Sequence, residues 1–568
     1  MPRIAIVGAG PSAVYALKRL VASERPLSIT VFEAGTRPGV GTPYDRAQNS
    51  PAMLANIASI ELPPVCQTLL EWLETRPAAT LSESGISEDD LHERKFFPRV
   101  ILGDYFSAQF AALVARAGAQ GHRVEVRTST KVTDIIAHDH GVWIISDDSA
   151  QFDNGIFDFA ILATGHIAPH VRSAGTIGGS KTQARTPADT AARLGILGTS
   201  LSGIDVAVDH ALRIGTFVET DDGLCFKPAR PPAPDEAPPI TMMSRGGLLP
   251  EADFYCPIPY IPLDRFTATR LNAQVCGKDG DLDIIFALFL DELEHLDPAF
   301  VASLGPVCAT PEGFAKCYAD RRAHIDPFEW ARANLIEARY NARHARTVPW
   351  RYALLRMHEP FGAIVKELSP DDRRRFNASL KRVFVDNYAA VPPLSIARLL
   401  ALYDAGVLAI RALGADYRLE NPDRDGLWHV RTADDEMAFD VIVDARGQAA
   451  LGQSEFPFPT LRMQIRAQAI ARLETLEAVP IGDKFELGVS GNPLARIFCL
   501  SLPFLLDRNP FIQGLTAARE LGVMAAEAVL QSCEQGPRNL SLDELWRMLT
   551  TGHKGSIYLF SSHGQLLL

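Results

Sequence analysis

No two of this chain's cysteines stand in a C-x-x-C pair. The eight, at 66, 225, 256, 276, 308, 317, 499 and 533, are scattered without metal-ligand spacing. That pattern argues against a dithiol redox motif and a structural zinc site. They read as small buried hydrophobes, with Cys256, between Tyr255 and Pro257, the one to watch. Long apolar runs are also missing. Ile284 to Leu290 is among the longest, far short of the roughly 20 residues a membrane helix needs. Positive charge is in deficit, with 56 Lys and Arg against 68 Asp and Glu and a net charge of −12, whereas a nucleic-acid surface needs a basic stripe. A charged-then-apolar leader does not fit before Tyr15, because a strand and a glycine turn already occupy that stretch. The expectation is a cytoplasmic protein that partners neither membrane nor nucleic acid.

What is present is the composition of a globular protein, 47% hydrophobic and 22% charged. At roughly 150 residues per domain, three or so units are expected. Arg3 to Gly8 is apolar, Pro11 to Leu20 sets Val14, Leu17 and Leu20 on one helical face, and Ser28 to Phe32 reads as a strand ending at Glu33. Strand, glycine turn, helix and strand make a βαβ unit and imply a parallel sheet. Val124 to Val126, Val142 to Ser146 and Phe159 to Ala163 read as a second cluster of strands, a sheet excursion with a turn at Asp147-Asp148. Leu194 to Leu197 opens another glycine turn, followed by a helix over Asp205 to Leu212. The proline-rich stretch Pro228 to Pro239 reads as a surface loop.

From about Phe266 to Ala412 the spacing is helical, with helices expected over Leu282 to Leu296, Phe328 to Tyr340, Asp371 to Asn387 and Pro393 to Tyr403. A hairpin over Tyr417 to Arg431 around Asp425-Gly426, a strand over Phe439 to Val443 and a last helix over Thr516 to Gln531 complete the pattern. The fold class expected is α/β, with two dinucleotide-binding Rossmann-like domains and a large helical insertion.

Gly8-Ala9-Gly10-Pro11-Ser12-Ala13 has the form G-x-G-x-x-A. Gly8 permits the tight turn, Gly10 leaves room for a pyrophosphate, and Ala13 lets the helix lie close to the strand. The phosphates would sit on the helix N-terminus, where amides and dipole favour negative charge. Glu33 ends the second strand, where a carboxylate accepts hydrogen bonds from a ribose. The second turn, Gly195 to Gly203, is less regular. Gly198 opens it, Ser200 replaces the usual middle glycine, and Ser202 and Gly203 follow. It reads as a second nucleotide site or as a plain structural turn. Downstream, Ile240 to Met243 runs into Ser244-Arg245 rather than an acid, and an arginine there suits the 2′-phosphate of NADPH; the alternative is a solvated loop charge. Asp158 to His166 ends a strand in Ala163-Thr164-Gly165, and Asp444-Ala445-Arg446-Gly447 is a second small-residue strand ending.

With these motifs in place, the chain resembles two-dinucleotide flavoproteins, and among them bacterial FAD/NAD(P)-binding proteins related to class B N-hydroxylating flavin monooxygenases. D-x3-L-A-T-G-H at Asp158 to His166 is similar to an amine N-hydroxylase fingerprint, with His166 where tyrosine is more usual. Gly41-Thr42-Pro43-Tyr44, Met53-Leu54-Ala55-Asn56, Phe97-Pro98-Arg99, Gly103-Asp104-Tyr105 and Ser244 to Pro250 look like the same group. The resemblance implies an FAD domain over 1–190 completed by 451–568, an NADP domain over 191–265 and 413–450, and a helical substrate region over 266–412.

It also implies that NADPH reduces FAD, that O2 adds to give a C4a-hydroperoxyflavin, and that a small primary amine or amino acid attacks it, with aspartate oxidised towards nitrosuccinate as one extension. Asn56, His166 and Arg99 are the candidate catalytic residues, and Gly514 joins the cofactor set. Asn56 reads as a hydrogen-bonding group for flavin or NADP or else as a turn cap. His166 reads as a proton carrier or else as a histidine satisfied by the backbone. Arg99 reads as a substrate-carboxylate contact or as a structural salt bridge. The run Arg339, Arg343, His344, Arg346, Arg351 reads as a carboxylate site or as a solvated face. A homo-oligomer is compatible with all of this. The rivals are a flavin reductase or oxidase without oxygenation, and a nucleotide sensor without turnover.

Overall fold

The structure is a computed structural model. It describes residues 1–147, 156–165, 193–221, 223–231, 233, 236–420, 426–471, 478–488, 491–535, 559–560 and 566–567. The chain opens with β1 (Arg3–Val7), α1 (Pro11–Val21) and β2 (Ser28–Phe32). Gly10 precedes α1 in an extended conformation and Pro11 occupies its first turn, where a missing N–H breaks no helical bond. Ala13, Val14, Leu17 and Leu20 are buried, so α1 buries the face its spacing marks, at roughly 1.5–3 kcal/mol for each large side chain.

Then come β3 (Leu54–Ala58), α2 (Leu69–Glu74), α3 (Ala78–Glu83), β4 (Phe96–Pro98), α4 (Arg99–Ala119), β5 (Arg123–Arg127), β6 (Val132–His138), β7 (Gly141–Ser146) and β8 (Phe159–Leu162). After a long excursion, α15 (Pro459–Ala471), β18 (Ile497–Cys499) and α16 (Gly514–Gln535) return to this unit. Its five-stranded sheet runs β18-β8-β1-β2-β5 with every pairing parallel. The excursion is therefore smaller than expected. β5 and β8 belong to the main sheet, and only β6 and β7 form a separate antiparallel pair. Strands buried by helices on both faces read like any short apolar run, so period alone does not assign them to a sheet. Helix α16 lies along α1. A Cβ on Gly522 would meet the Ser12 carbonyl oxygen at 2.5 Å, so the two helices approach at a glycine.

The second unit holds β9 (Leu194–Leu197), α5 (Leu201–Ile214), the hairpin β10 (Gly215–Thr220) with β11 (Gly223–Pro228), and β12 (Ile240–Ser244). Its parallel sheet runs β13-β12-β9-β17, with β13 at Leu408–Ala412 and β17 at Val441–Asp444. The small sheet β14 (Arg418–Glu420), β15 (Trp428–Arg431) and β16 (Glu436–Phe439) carries the expected hairpin. Asp148 and Asp425, expected at turns, lie outside the described residues.

Between β12 and β13 lie α6 (Ala268–Gln274), α7 (Asp281–Leu296), α8 (Pro298–Leu304), α9 (Pro311–Ala323), α10 (Pro327–Arg343), α11 (Pro349–Ile364), α12 (Pro370–Ala378), α13 (Leu380–Tyr388) and α14 (Pro393–Asp404). The expected helix over Asp371 to Asn387 is two helices, broken at Ser379, whose backbone leaves helical geometry and whose hydroxyl bonds the Arg375 carbonyl at 2.6 Å. The block is also not one body. Buried side chains of α10 and α14 share a core with β9, β12 and α5. The other helices enclose a core rich in phenylalanine, including Phe266, Phe289, Phe361 and Phe384, into which Phe511 inserts. Helical spacing reaches only to α14, because Leu408–Ala412 pairs with β12 as the sheet's outer strand. Cys308 and Cys317 form a disulfide between the stretch before α9 and α9 itself. No helix among the described residues is long and apolar enough to cross a membrane.

The molecule is thus α/β, with two Rossmann-like parallel sheets and a large helical region.

Candidate functional site

Gly8 sits at the end of β1 with φ +92, a conformation L side chains rarely adopt. Its N–H donates to the Phe32 carbonyl at 2.8 Å, and a Cβ there would lie 2.3 Å from the Ala163 carbonyl oxygen. Gly8 is therefore fixed by both backbone and space. Gly10 is different. Its φ is −72, which any residue tolerates, so the missing side chain serves to leave bare backbone before α1. Pro11 packs against Gly41, Ser12 lies in the first turn and Ala13 is buried. Among the described residues no side chain caps α1, and no acid stands in its first turn, which leaves its leading amides to an anion.

Glu33 accepts hydrogen bonds from Ala9 N at 2.9 Å and Gly35 N at 2.7 Å, which lock its carboxylate beside the turn. At the end of β8, Thr164 Oγ1 and Ser501 Oγ are 2.6 Å apart, and Gly165 turns with φ +69, with no atom of the described residues near a Cβ position. His166 lies outside the described residues. Gly514, φ +85, starts α16 with no atom of the described residues close to a Cβ position. Helix α16 also touches β3, where Asn56 is exposed. These features fit a dinucleotide laid over the turn: a cradle closed to a Cβ at Gly8, open at Gly10, with a ribose acceptor fixed at Glu33.

The second turn repeats the geometry. Gly198 N donates to the Met243 carbonyl at 2.7 Å, and a Cβ on Gly198 would lie 2.8 Å from the Ala445 carbonyl oxygen. Ser200 occupies the place of Gly10 with φ −94, so a side chain costs no backbone strain there; it is exposed and makes no capping bond. Ser202 is exposed in the first turn of α5, and Gly203 packs against the Gly198 carbonyl. Thr199 donates its hydroxyl to Leu248 O at 2.6 Å and lies 3.2 Å from Ser244 Oγ, tying the loop after β12 to the turn. Arg245 is exposed, and no side-chain partner is found for it among the described residues.

The two units meet through charges. Arg99, at the start of α4, pairs with Asp205 of α5 at 2.7 Å and donates to the Leu54 carbonyl at 3.2 Å. Arg398 of α14 donates to the Ala52 carbonyl at 2.7 Å. Burial outweighs the pull of these two cations and pushes the Asp205 carboxyl up to about 6. Arg99 thus occupies the salt-bridge role that sequence had offered beside the substrate role. Next to it, Ala52, Leu54, Phe97, Leu212 and Arg398 help line a cavity of about 400 Å³.

The basic run is not one site. Arg339, Arg343, His344 and Arg346 are exposed on or just after α10, whereas Arg351 is buried against Glu251 at 2.9 Å. Sequence reasoning passed over Glu61, Asp253 and Tyr260, which the fold gathers near the end of β3. Tyr260 donates to Glu61 at 3.0 Å, and burial, reinforced by Glu61, pushes Asp253 up to about 7. No local pattern marks them, because they join two units. Among the described residues no cluster of His, Cys, Asp and Glu could hold a metal.

Comparison with known proteins matches two family descriptions to this chain. The family described as FAD-NAD(P)-binding matches residues 5–167, and the YdhS-like middle domain matches residues 267–388. The YdhS protein of Escherichia coli strain K12 is 42% identical over 554 residues, covering 96% of this chain and 100% of that one. Among solved structures, lysine monooxygenase NbtG from Nocardia farcinica aligns over 93% of this chain and 100% of its own, with 11% identity and a TM-score of 0.42. Ornithine N-hydroxylase KtzI from Kutzneria sp. 744 covers 93% and 98%, with 13% identity and a TM-score of 0.45. Likeness at this level bears on neither substrate nor reaction. The first unit is an FAD-NAD(P)-binding domain.

Proposed function

The chain belongs to the YdhS family, and from that premise we propose that it is an NADPH- and FAD-dependent monooxygenase that N-hydroxylates a small primary amine or amino acid. The observation that carries the reading is the pair of glycine turns with matching backbone hydrogen bonds, one followed by an anchored acid and the other by an exposed arginine. Gly8, Gly10, Ser12 and Ala13 with the start of α1 would hold the pyrophosphate of FAD, and Glu33 its ribose. Thr164, Gly165 and Gly514 would border the same nucleotide. Gly198, Ser200, Ser202, Ser244 and Arg245 would hold NADPH. NADPH and FAD held there would supply the two electrons and the oxygen activation that N-hydroxylation needs, one oxygen atom of O2 ending on the amine nitrogen and the other in water.

A dithiol partner for the flavin finds no C-x-x-C pair in the chain. Burial pushes the Cys256 and Cys499 thiols up to about 12 and about 11, while Cys66, Cys225 and Cys276 are exposed. The disulfide Cys308–Cys317 belongs to the phenylalanine-rich helical core rather than to either glycine turn. Oxygen is the acceptor that needs no thiol. Asn56 supplies an exposed polar group on β3, His166 would carry a proton, and Arg99 positions the junction.

The test is spectroscopic and then chemical. Purified protein is expected to be yellow, to be bleached anaerobically faster by NADPH than by NADH, and to take up O2 with an amine panel that includes aspartate, giving a hydroxylamine, oxime or nitroso product. Oxygen uptake that yields only hydrogen peroxide across the panel would put the oxidase reading ahead. Flavin that NADPH fails to bleach would leave a nucleotide sensor.

A further inference from the structure

Two arginines from different units approach the loop that follows β12. Arg245 extends from the end of the strand, exposed and without a side-chain partner among the described residues. Arg382 comes from α13 in the helical region, and its Nη2 lies 3.5 Å from where a Cβ of Gly246 would stand. The next residue, Gly247, turns with φ +60, and a Cβ on it would be 2.9 Å from the Ala412 Cβ, so β13 fixes the turn. Thr199 ties the far end of the loop, at Leu248 O, to the second glycine turn. Arg382 is thus placed beside a loop anchored on both sides. Its competing partner on α13 is Asp386, one turn further on, which Arg322 already engages at 3.6 Å.

We propose that Arg245 and Arg382 together form a clamp for a phosphate monoester on the ribose of the second nucleotide, so that the helical region itself helps select NADPH over NADH. The proposal rests on the NADPH reading above. A monoester dianion presents three terminal oxygens. One guanidinium covers two of them with parallel N–H bonds, which leaves an oxygen for a second cation approaching from another side. A lone exposed arginine is a mobile charge, whereas two arginines carried on separate elements define a position.

Isothermal titration of the purified full chain, flavin bound, with NADP+ and NAD+ as probes decides the matter. The wild type is expected to prefer NADP+. Arg245→Ala and Arg382→Ala should each weaken NADP+ about tenfold or more and leave NAD+ nearly unchanged. Arg411→Ala, an exposed arginine on neighbouring β13 whose Nη1 bonds the Ile410 carbonyl, should change neither. NADP+ affinity retained in Arg382→Ala but lost in Arg245→Ala overturns the clamp and leaves the NADPH reading standing. Equal loss in Arg411→Ala replaces the clamp with a diffuse positive field. A wild type that binds both probes alike removes phosphate recognition, and the clamp with it.

Discussion

The two glycine turns share a backbone and differ in their side chains. In each, the first glycine donates to a carbonyl at or next to the end of the neighbouring strand, Phe32 or Met243, and closes against an alanine carbonyl, Ala163 or Ala445. The residue before each following helix, Gly10 or Ser200, is extended, with φ of −72 and −94. Just past the second strand the likeness ends. Glu33 is locked by two backbone amides, while Arg245 projects free of partners among the described residues. The cradle is therefore a backbone property that tolerates Ser200. Nucleotide choice belongs to the residue at the strand's end and to whatever the rest of the molecule brings near it.

The largest expected effect is at the shared glycines. Gly8→Ala would force a Cβ against Ala163 at a positive φ, and should lower stability by more than about 3 kcal/mol and empty the protein of flavin. Gly198→Ala, with its Cβ position 2.8 Å rather than 2.3 Å from a carbonyl oxygen, should cost less. Urea unfolding of both variants measures the difference, and an unchanged midpoint in Gly8→Ala would break the equivalence of turn and cradle.

Next is the contact between the halves. Asp205 is held up to about 6 when folded and near the ordinary Asp value, roughly 4, when unfolded. The folded state therefore binds more protons between those values, and stability declines as pH rises through about 4 to 6, by on the order of 3 kcal/mol. Wild type and Asp205→Asn, unfolded across that range, should diverge; parallel curves would remove the burial penalty assigned to this junction.

Glu33→Ala comes third, with flavin affinity reduced by about 1–3 kcal/mol and the response to NADPH concentration retained. An equal loss at both nucleotides would erase the assignment of one to each turn. The smallest effect is Ser200→Gly, expected within about 0.5 kcal/mol, because φ already suits serine and its hydroxyl caps nothing. A large change would show that the two turns are less alike than their hydrogen bonds.

Much of the fold was legible in the chain. Both βαβ openings, the late strand running into Ala445 and the helical stretch from Phe266 onward carry local signals: a turn glycine, an apolar run, a helical period. The fate of β5 and β8 was not legible, since strand pairing is a distant contact with no mark of its own. Nor was the break at Ser379, where the backbone leaves helical geometry with φ −122 and ψ −91, or the division of the helices between two cores. At the site, Glu33 and Arg245 were readable because they follow turn and strand at fixed spacing. The engagement of Arg99 by Asp205 was not, because nothing local ranks one carboxylate partner above another.

By itself, then, the sequence determined where the backbone can turn at Gly8 and Gly198 and what charge follows each second strand, since tolerance of a positive φ is a local property of glycine. The tertiary structure alone decided that Arg99 faces Asp205, that Arg351 leaves the basic run for Glu251, and that Arg382 comes to stand beside Gly246. Those pairings join distant elements, and only burial and packing bring them together.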